Sequence, residues 1–407
     1  MIVDQNHERH FRELRLFVEE ICCNLCRFHH VEQGGLTPEA ITISQEKYLG
    51  TPGSFADICV EAPGLAPYFV EVKLGYAPEK IINHMARKYG TDAPLVGSAS
   101  KIILVVDAAR HADWPEVHRK IEAAIRRGLT LEVWDERHLL SLINERFGLH
   151  VESISEDNVV EMRTALNAAK GRYAFGDQWA NDFQQLSLLW HFGFWRLKQL
   201  REHHNLSPRA IMPPGNYKGV AVVMADLCSF SSFVRDTRDD EVVRHCLTMF
   251  YSKARYEILN TGGMLYQFVG DEVIGLYGLP DRPGHYIQAA LECARALVDL
   301  GNSVSNEWQR QIDRLQEACG VHVGMSLGDI QIVSMQPFGR AHLGAIGDGI
   351  NMAARLLATA GSSEIVVSNG FYQGLSQETQ AGFAETPPID ARNIGRIKAW
   401  RMCCERY

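Results

Sequence analysis

The chain has 407 residues, of which 46% are hydrophobic and 22% are charged, and its formal net charge is -8. This composition excludes a disordered chain and a protein that coats nucleic acid along its whole surface, and the length allows two or more hydrophobic cores. No stretch approaches the ~18–20 apolar residues that cross a bilayer, and the polar start has no signal-peptide core. With ten cysteines and no secretion signal, the sequence predicts a soluble, cytoplasmic protein with free thiols and no membrane partner.

The first part of the chain alternates helices and strands. Apolar residues at three- and four-residue steps predict an amphipathic helix over residues 4–31. Two strands are predicted at about Phe55–Glu61 and Tyr68–Leu74, joined by a Pro-Gly turn. The predicted unit is completed by a helix (Glu79–Tyr89), the buried strand KIILVVDA, a helix (Pro115–Arg127), the strand LTLEVWD and a short helix.

Three charged residues lie on the two joined strands. Asp57 is on the first strand, while Glu71 and Lys73 are two residues apart on the second and therefore face the same side. An aspartate followed by Glu-x-Lys resembles the restriction-endonuclease-like PD-(D/E)xK fold, which implies carboxylates that hold Mg²⁺ and a lysine that assists phosphodiester hydrolysis. Alternating charge on an exposed strand is the other interpretation. We expect residues 1–150 to be an α/β sensor or regulatory domain with a nuclease-like fold, and a phage-derived activator or nucleic acid as its ligand.

Two further helices and a proline-rich boundary are predicted over residues 151–216. Apolar and aromatic residues recur at helical spacing between Phe183 and Leu200, a pattern typical of core or dimer packing. The Pro-Pro-Gly run at 213–215 is the clearest domain boundary in the chain. The sequence therefore predicts a helical connector, followed by a third region over residues 217–407.

This third region predicts a mixed sheet with helices packed on it. Two apolar runs each lead to an aspartate, Asp226 and Asp271, and small or hydroxylated residues follow the first of them. Two carboxylates at strand ends, beside a loop of backbone N–H groups, suit divalent metals that hold a triphosphate.

The predicted elements of this third region are a strand (GVAVVMAD), a helix (Asp239–Thr261), a hairpin (Gly263–Tyr277), a helix (His285–Val304) with a charged extension, a strand (GVHVGMSLGD), a glycine-rich turn, a helix (Ile350–Ala360) and a strand (EIVVSN).

Three motifs of this region resemble those of the class III nucleotidyl cyclases, in the same order. They are MADLCSFSSF, GGMLYQFVGDEVIGLYG and IGDGINMAARL. The resemblance implies a ferredoxin-like α+β catalytic domain and a phosphorus–oxygen lyase, in which the ribose 3′-oxygen attacks the α-phosphate and diphosphate leaves. It also implies a head-to-tail homodimer with two shared active sites, and two divalent ions, Mn²⁺ or Mg²⁺, in each site.

The resemblance assigns the metal and phosphate contacts to the first two motifs. The side chains of Asp226 and Asp271 and the backbone carbonyl of Leu227 would be metal ligands. Backbone N–H groups of the short segment after the first aspartate would contact the phosphates of the nucleotide. That segment comprises Ser229, Phe230 and Ser231.

The third motif would act on the transition state. Asn351 and Arg355 are four residues apart, so a helix places them on one face. The resemblance implies that Asn351 orients the ribose and that Arg355 neutralises charge on the pentavalent phosphate. Where the family has a triphosphate-binding lysine, this chain has Ile394, so Arg396 or Lys398 would take that role.

The base-binding positions differ from those of adenylate and guanylate cyclases. Gln267 replaces the adenine-reading lysine, Tyr266 lies beside it, and the second base-reading position falls on Gly344. A glutamine has both a donor and an acceptor, so it can read a base edge without a charge. Tyr266 could fill the space that a smaller base leaves. These differences resemble the pyrimidine cyclases of bacterial anti-phage (Pycsar) systems.

The sequence thus predicts a cyclase that makes 3′,5′-cyclic UMP from UTP in antiviral defence. A separate cyclic-nucleotide-binding effector protein would read the product. The alternatives are a cytidylate cyclase that uses CTP, a purine cyclase with an unusual pocket, and a PD-(D/E)xK nuclease whose cyclase-like half senses nucleotide.

Overall fold

The computed structural model describes residues 11–91, 93, 99–177, 179–180, 183–204, 207–237, 239–312, 318–335, 342–391 and 395–404. The chain divides into two units, Met1–Lys170 and Gly171–Arg406. The division falls within the stretch that the sequence predicts as a helical connector. Of the helices in the described ranges, none has the length and apolarity that crossing a bilayer requires.

A mixed five-stranded sheet lies at the centre of the N-terminal unit, and its strands follow the order of the chain. Strand β2 is antiparallel to both of its neighbours, β1 and β3, and the strands β3, β4 and β5 are parallel. A helix joins each parallel pair, because parallel neighbours need a crossover connection. The strands are β1 (Thr42–Tyr48), β2 (Phe55–Glu61), β3 (Tyr68–Val72), β4 (Lys101–Val105) and β5 (Thr130–Trp134), and the helices are α1 (Arg12–Phe28), α2 (Pro78–Tyr89), α3 (Trp114–Ala124) and α4 (Glu136–Phe147).

The predicted strands from β2 to β5 and the helices between them agree with the structure to within a few residues. The helix predicted over 4–31 is α1 from Arg12 to Phe28, and its residues 4–10 lie outside the described residues. Strand β2 has the predicted bounds, and β3 ends two residues before the predicted Leu74. The sequence pattern does not predict β1, because TISQEKY combines a buried Gln45 with few large apolar residues. Strand β3 is buried along its whole length, so it carries a polar residue, Glu71, into the interior.

A largely antiparallel eight-stranded sheet forms the core of the C-terminal unit. Its strands are β6 (Gly215–Leu227), β7 (Met264–Val269), β8 (Glu272–Tyr277), β9 (Val321–Met335), β10 (His342–Ile346), β11 (Glu364–Ser368), β12 (Ala384–Glu385) and β15 (Ala399–Cys403). The spatial order is β12-β15-β11-β9-β6-β8-β7, and β10 pairs with β9. Two short strands, β13 (Ile389–Ala391) and β14 (Gly395–Ile397), pair separately as a ribbon.

The helices that follow in the chain are α5 (Val159–Phe175), α6 (Phe183–His204), α7 (Pro208–Ile211), α8 (Phe230–Asp236), α9 (Asp240–Asn260), α10 (Tyr286–Ile312), α11 (Asp348–Leu357), α12 (Asn369–Gln373) and α13 (Gln377–Gln380). Helix α6 is kinked at Gly193, which has φ 69° and ψ 166°. The predicted apolar stripe of α6 is buried at Phe194, Leu197 and Leu200, whereas Trp190 on the other side of the kink is exposed.

Helix α11 packs against β9 through glycines. A Cβ placed on Gly324 would overlap the backbone of Ala353 and Leu357 in α11. At the start of the helix, the Cα of Gly349 would lie 3.0 Å from a Cβ on Gly328. The absence of side chains at these strand positions therefore sets the depth at which α11 lies on the sheet.

We expect Gly324→Ala to lower the free energy of unfolding by about 1–3 kcal/mol, because the added methyl group must displace the α11 backbone. Chemical denaturation of the purified chain measures the change. Gly284→Ala is the matched control, since a Cβ at that position meets no heavy atom of the described residues within 4 Å. An equal effect of the two substitutions would contradict the packing argument.

Candidate nucleotide-binding site

Two acidic residues meet where β6 ends and the β7–β8 hairpin turns. Asp226 is near the end of β6 and pairs with Glu272, the first residue of β8. Asp271 occupies the turn directly before β8, after Gly270, whose φ of 63° suits a glycine in a tight hairpin. The hydroxyl of Tyr251 on α9 donates to the Gly270 carbonyl, and its ring stacks on Phe268 at 4.1 Å. The turn that carries Asp271 is therefore held from both the strand and the helix side.

The charges in this region are predominantly negative. Burial, followed by the negative charge of Asp226, raises the pKa of Asp271 to about 6. Burial and the same two aspartates also raise the pKa of Glu272. His322 on β9 lies opposite Asp226, with Nε2 3.2 Å from Oδ2, and this hydrogen bond raises the pKa of the imidazole to about 10. One histidine cation thus faces three carboxyl groups, which favours binding of a further cation.

The donor set fits a divalent ion that is shared with a ligand. Within the described ranges, no three His, Cys, Asp or Glu side chains form a group that could hold a metal ion by itself. Mg²⁺ commonly uses one or two protein carboxylates and completes its shell with water and substrate phosphate oxygens. Asp226 and Asp271 supply carboxylates of that kind. The predicted ligand Leu227 lies in β6 with a buried side chain, so only its backbone carbonyl would be available.

The predicted phosphate-binding segment forms the start of α8. Ser229 precedes the helix with φ 60°, and its side chain makes no capping hydrogen bond. The ring of Phe230 packs against Phe233 and Trp308, so this residue would contribute only its backbone. Ser231 is exposed. Helix N-termini carry unsatisfied N–H groups, which suit an anionic ligand.

Asn351 and Arg355 lie on α11, as predicted, and have different surroundings. The side chain of Asn351 is exposed. The Nε atom of Arg355 is buried and has no hydrogen-bond partner among the described residues. A buried guanidinium nitrogen without a partner is costly, and an anion would satisfy it.

Asp226 and the start of α11 lie at different places along the same strand pair. Asp226 pairs with His322, whereas Val220 pairs with Gly328, on which Gly349 packs. Six strand residues separate the two positions, which is about 20 Å at roughly 3.3 Å per residue. From this start, α11 runs back along β9, because Ala353 and Leu357 lie on Gly324, which pairs with Met224.

The three base-reading positions come from β7 and β10. The register of β7 with β8 shifts between Leu265 and Gln267, so Tyr266 is the extra residue of a bulge. The Ala345 N–H donates to the Tyr266 hydroxyl at 3.1 Å, and that hydroxyl lies 3.4 Å from the Ala345 carbonyl oxygen. Gly344, next to Ala345, pairs with Val333 of β9. Tyr266 thereby links the two strands, which sequence spacing alone does not indicate.

The residues considered for triphosphate binding lie near the end of the chain. Arg396 is exposed on β14, opposite Asp390 of β13. Lys398 forms an ion pair with Glu385 at 3.1 Å and lies over the ring of Trp400. Ile394, at the position of the family's lysine, lies outside the described residues.

The N-terminal motif also comes together. Asp57 on β2, Glu71 on β3 and Lys73 directly after β3 are in contact, and Lys73 Nζ lies 2.6 Å from Asp57 Oδ2 and from Glu71 Oε2. Two residues of α2 that the motif does not include join them. Lys88 contacts both carboxylates, and Tyr89 donates to Glu71. Spacing in the sequence could not identify these contacts, because they depend on the packing of α2.

Comparison with known proteins agrees with the C-terminal geometry. Residues 212–402 match the model of the adenylate and guanylate cyclase catalytic domain. An uncharacterized protein of Mycobacterium tuberculosis is 28% identical over 165 residues, an alignment that covers 40% of this chain and 27% of that relative. The chain thus spans about a quarter of the length of the curated relatives it matches.

Solved cyclases are also similar to the chain. The adenylyl cyclase CyaB from P. aeruginosa has a TM-score of 0.42 and 18% identity, and the guanylyl cyclase Cya2 has a TM-score of 0.41 and 19% identity. Each alignment covers 48% of this chain and 98% of the other. From the family match, residues 212–402 form a class III adenylate/guanylate cyclase catalytic domain.

Proposed function

We propose that the C-terminal unit is a phosphorus–oxygen lyase that converts UTP into 3′,5′-cyclic UMP and diphosphate. The observation that carries the cyclase activity is the buried Nε of Arg355, which has no hydrogen-bond partner in the described part of the chain, on the helix that exposes Asn351. The excess negative charge at Asp226 and Asp271 provides the second requirement, a place for cations that accompany a triphosphate.

Asp226, Asp271 and the Leu227 carbonyl would hold two divalent ions, Mg²⁺ or Mn²⁺, together with oxygens of the nucleotide. When bound, such ions supply positive charge that stabilises the attacking 3′-oxygen and the leaving diphosphate. The N–H groups at the start of α8 would bind phosphate oxygens, since the Ser229 side chain does not cap them. We assign the outer phosphates to Arg396, whose side chain is exposed on β14.

Asn351 and Arg355 would act on the ribose and the α-phosphate. The amide of Asn351 is exposed, so it can accept and donate hydrogen bonds to the ribose and fix the direction of the 3′-oxygen. Arg355 would donate to the oxygens on which charge develops as the 3′-oxygen bonds to phosphorus and diphosphate departs. Asp348, the other charged residue of α11, is three residues before Asn351 and seven before Arg355, so it lies on the same face at the start of the helix.

We further propose that the enzyme is a homodimer with two shared sites. This proposal follows from the resemblance to class III cyclases, which implies that the metal carboxylates and the asparagine and arginine of each site come from opposite protomers. A second copy in head-to-tail contact would place Asn351 and Arg355 of one protomer at the carboxylates of the other.

The preference for a small base rests on Tyr266. Its hydroxyl is tied to the Ala345 backbone, so the ring is held between β7 and β10 beside Gln267 and Gly344. An aromatic ring fixed at that point would leave less room for a purine. CTP is the second candidate, because the Gln267 amide can present either its oxygen or its nitrogen to a base and so suits uracil or cytosine.

The biological role follows from the product. A cyclic pyrimidine nucleotide would be a second messenger for a separate effector protein in anti-phage defence. The region 1–150 would regulate its synthesis, with residues 151–216 as the connector to the catalytic domain at 217–407.

We expect the purified chain to form cyclic UMP from UTP with Mn²⁺, and to form less product from CTP, ATP and GTP. Chelation with EDTA should abolish turnover, and Asp271→Asn should reduce it at least about 100-fold because a metal ligand is lost. Chromatography of the products with each nucleotide measures both effects.

The control for this experiment is Asp240→Asn, which changes an exposed aspartate at the start of α9 and should leave turnover unchanged. The absence of any cyclic product from all four nucleotides, with phage components supplied, would contradict the proposed activity. Turnover by Asp271→Asn at the wild-type rate would contradict the metal assignment.

Mixing two inactive variants tests the shared site. Asp271→Asn and Arg355→Ala chains should each be inactive, because each lacks one half of every site. A freely exchanging equal mixture should regain about a quarter of wild-type activity, since half of the dimers then contain one intact site. A mixture that stays inactive while the chains are shown to exchange would mean that both halves act within one protomer.

We expect Tyr266→Ala to raise the ratio of kcat/KM for ATP to that for UTP by at least about tenfold, because the substitution opens space for a purine. Tyr266→Phe keeps the ring and removes the contact with Ala345, so it separates the volume effect from the hydrogen bond. Initial rates with both nucleotides give the ratios. If neither variant changes the ratio, Tyr266 does not select the base.

A further inference from the structure

The N-terminal unit contains a buried cluster of two carboxylates and two lysines. Asp57 and Glu71 lie on the neighbouring strands β2 and β3, and their side chains are 14% and 0% exposed. Lys73 follows β3, and Lys88 reaches the cluster from α2, with side chains 4% and 8% exposed. The four side chains are therefore removed from solvent together.

The two lysines bridge the same two carboxylates. Lys88 Nζ lies 3.1 Å from Asp57 Oδ1 and 2.7 Å from Glu71 Oε2. Lys73 Nζ lies 2.6 Å from Asp57 Oδ2 and 2.6 Å from Glu71 Oε2. The Tyr89 hydroxyl donates to Glu71 Oε1 at 2.6 Å, and the Val72 N–H donates to Asp57 Oδ2 at 2.8 Å. Each of the four carboxylate oxygens has a donor within 3.1 Å, so an ion would have to displace or compete with these donors.

The charges of the cluster sum to zero. Burial by itself would lower the pKa of Lys73, but Asp57 and Glu71 raise it above its ordinary value, so the ammonium stays charged. Two cations and two anions compensate one another in a region with little access to water. A divalent ion at the same carboxylates would add two uncompensated positive charges, unless a lysine left the cluster.

The resemblance of this motif to PD-(D/E)xK nucleases implies Mg²⁺ at Asp57 and Glu71, with one lysine beside it. Lys73 corresponds to the lysine of that motif, whereas Lys88 is additional and comes from a different element. The residues present therefore do not fit a metal-binding site. We propose that Lys88 occupies the cation position of the nuclease-like motif, so that the N-terminal unit binds no divalent ion there and does not hydrolyse phosphodiesters.

Metal titration tests the proposal directly. The full chain carrying Asp226→Asn and Asp271→Asn lacks the proposed C-terminal ligands, so Mn²⁺ binding measured by calorimetry reports on the N-terminal unit. This parent chain should bind no Mn²⁺ at Glu71. Adding Lys88→Met should create one Mn²⁺ site that Glu71→Gln removes again. Lys120→Met, which removes an exposed lysine of α3, is the matched control and should create no site.

Several outcomes would overturn the proposal. One is Mn²⁺ binding by the parent chain that disappears with Glu71→Gln. Another is a folded Lys88→Met chain, verified by circular dichroism, that gains no Mn²⁺ site. A nuclease assay of the unsubstituted chain decides the question even if Lys88→Met does not fold. Cleavage of DNA or RNA with Mg²⁺ or Mn²⁺ that vanishes with Glu71→Gln would refute the proposal, and the absence of cleavage is the expected result.

Discussion

The pairing of β6 with β9 determines where each part of the candidate site lies. The pairing extends from Leu227 and Val321 at one end to Gly215 and Ile332 at the other, with one irregularity. It places Asp226 beside His322 at one end, and it presents Gly324 and Gly328 as a flat surface for α11. Because strand register is fixed by the buried face, a shift of one residue would turn Asp226 away from the hairpin and place side chains under the helix. The proposed metal ligands and the proposed transition-state residues thus depend on one register.

The two units treat their carboxylate pairs in opposite ways. In the C-terminal unit, one histidine partly offsets Asp226, Asp271 and Glu272, and burial together with the negative charge of Asp226 raises the pKa of Asp271. In the N-terminal unit, two lysines fully offset two carboxylates. The carboxylate pairs of the two units therefore differ in net charge and in their capacity to attract a further cation. The number and position of neighbouring cations distinguish an ion-binding site from a closed cluster.

The sequence predicts the order of most elements and the position of the cyclase motifs, because apolar strands, glycine turns and helical spacing are local patterns. The family match confirms the cyclase domain and leaves the base preference as a proposal. Contacts between distant segments were not predictable from spacing, namely His322 on Asp226, Tyr266 on Ala345 and Lys88 on Glu71. Strand β1 also escapes prediction, since burial of Gln45 by tertiary packing overrides the hydrophobic pattern.

Helix α6 affects how readily the eight-stranded sheet can aggregate. Strand β7 lies at an edge of the eight-stranded sheet, where unpaired backbone groups can recruit a strand from another chain. His191 donates to the Leu265 carbonyl at 2.6 Å, and Trp190 packs edge-on against Phe268, so α6 covers this edge. The opposite edge, β12, has only two residues, too few to template an added strand. The β7 and β12 edges of the sheet are thereby protected against edge-to-edge aggregation.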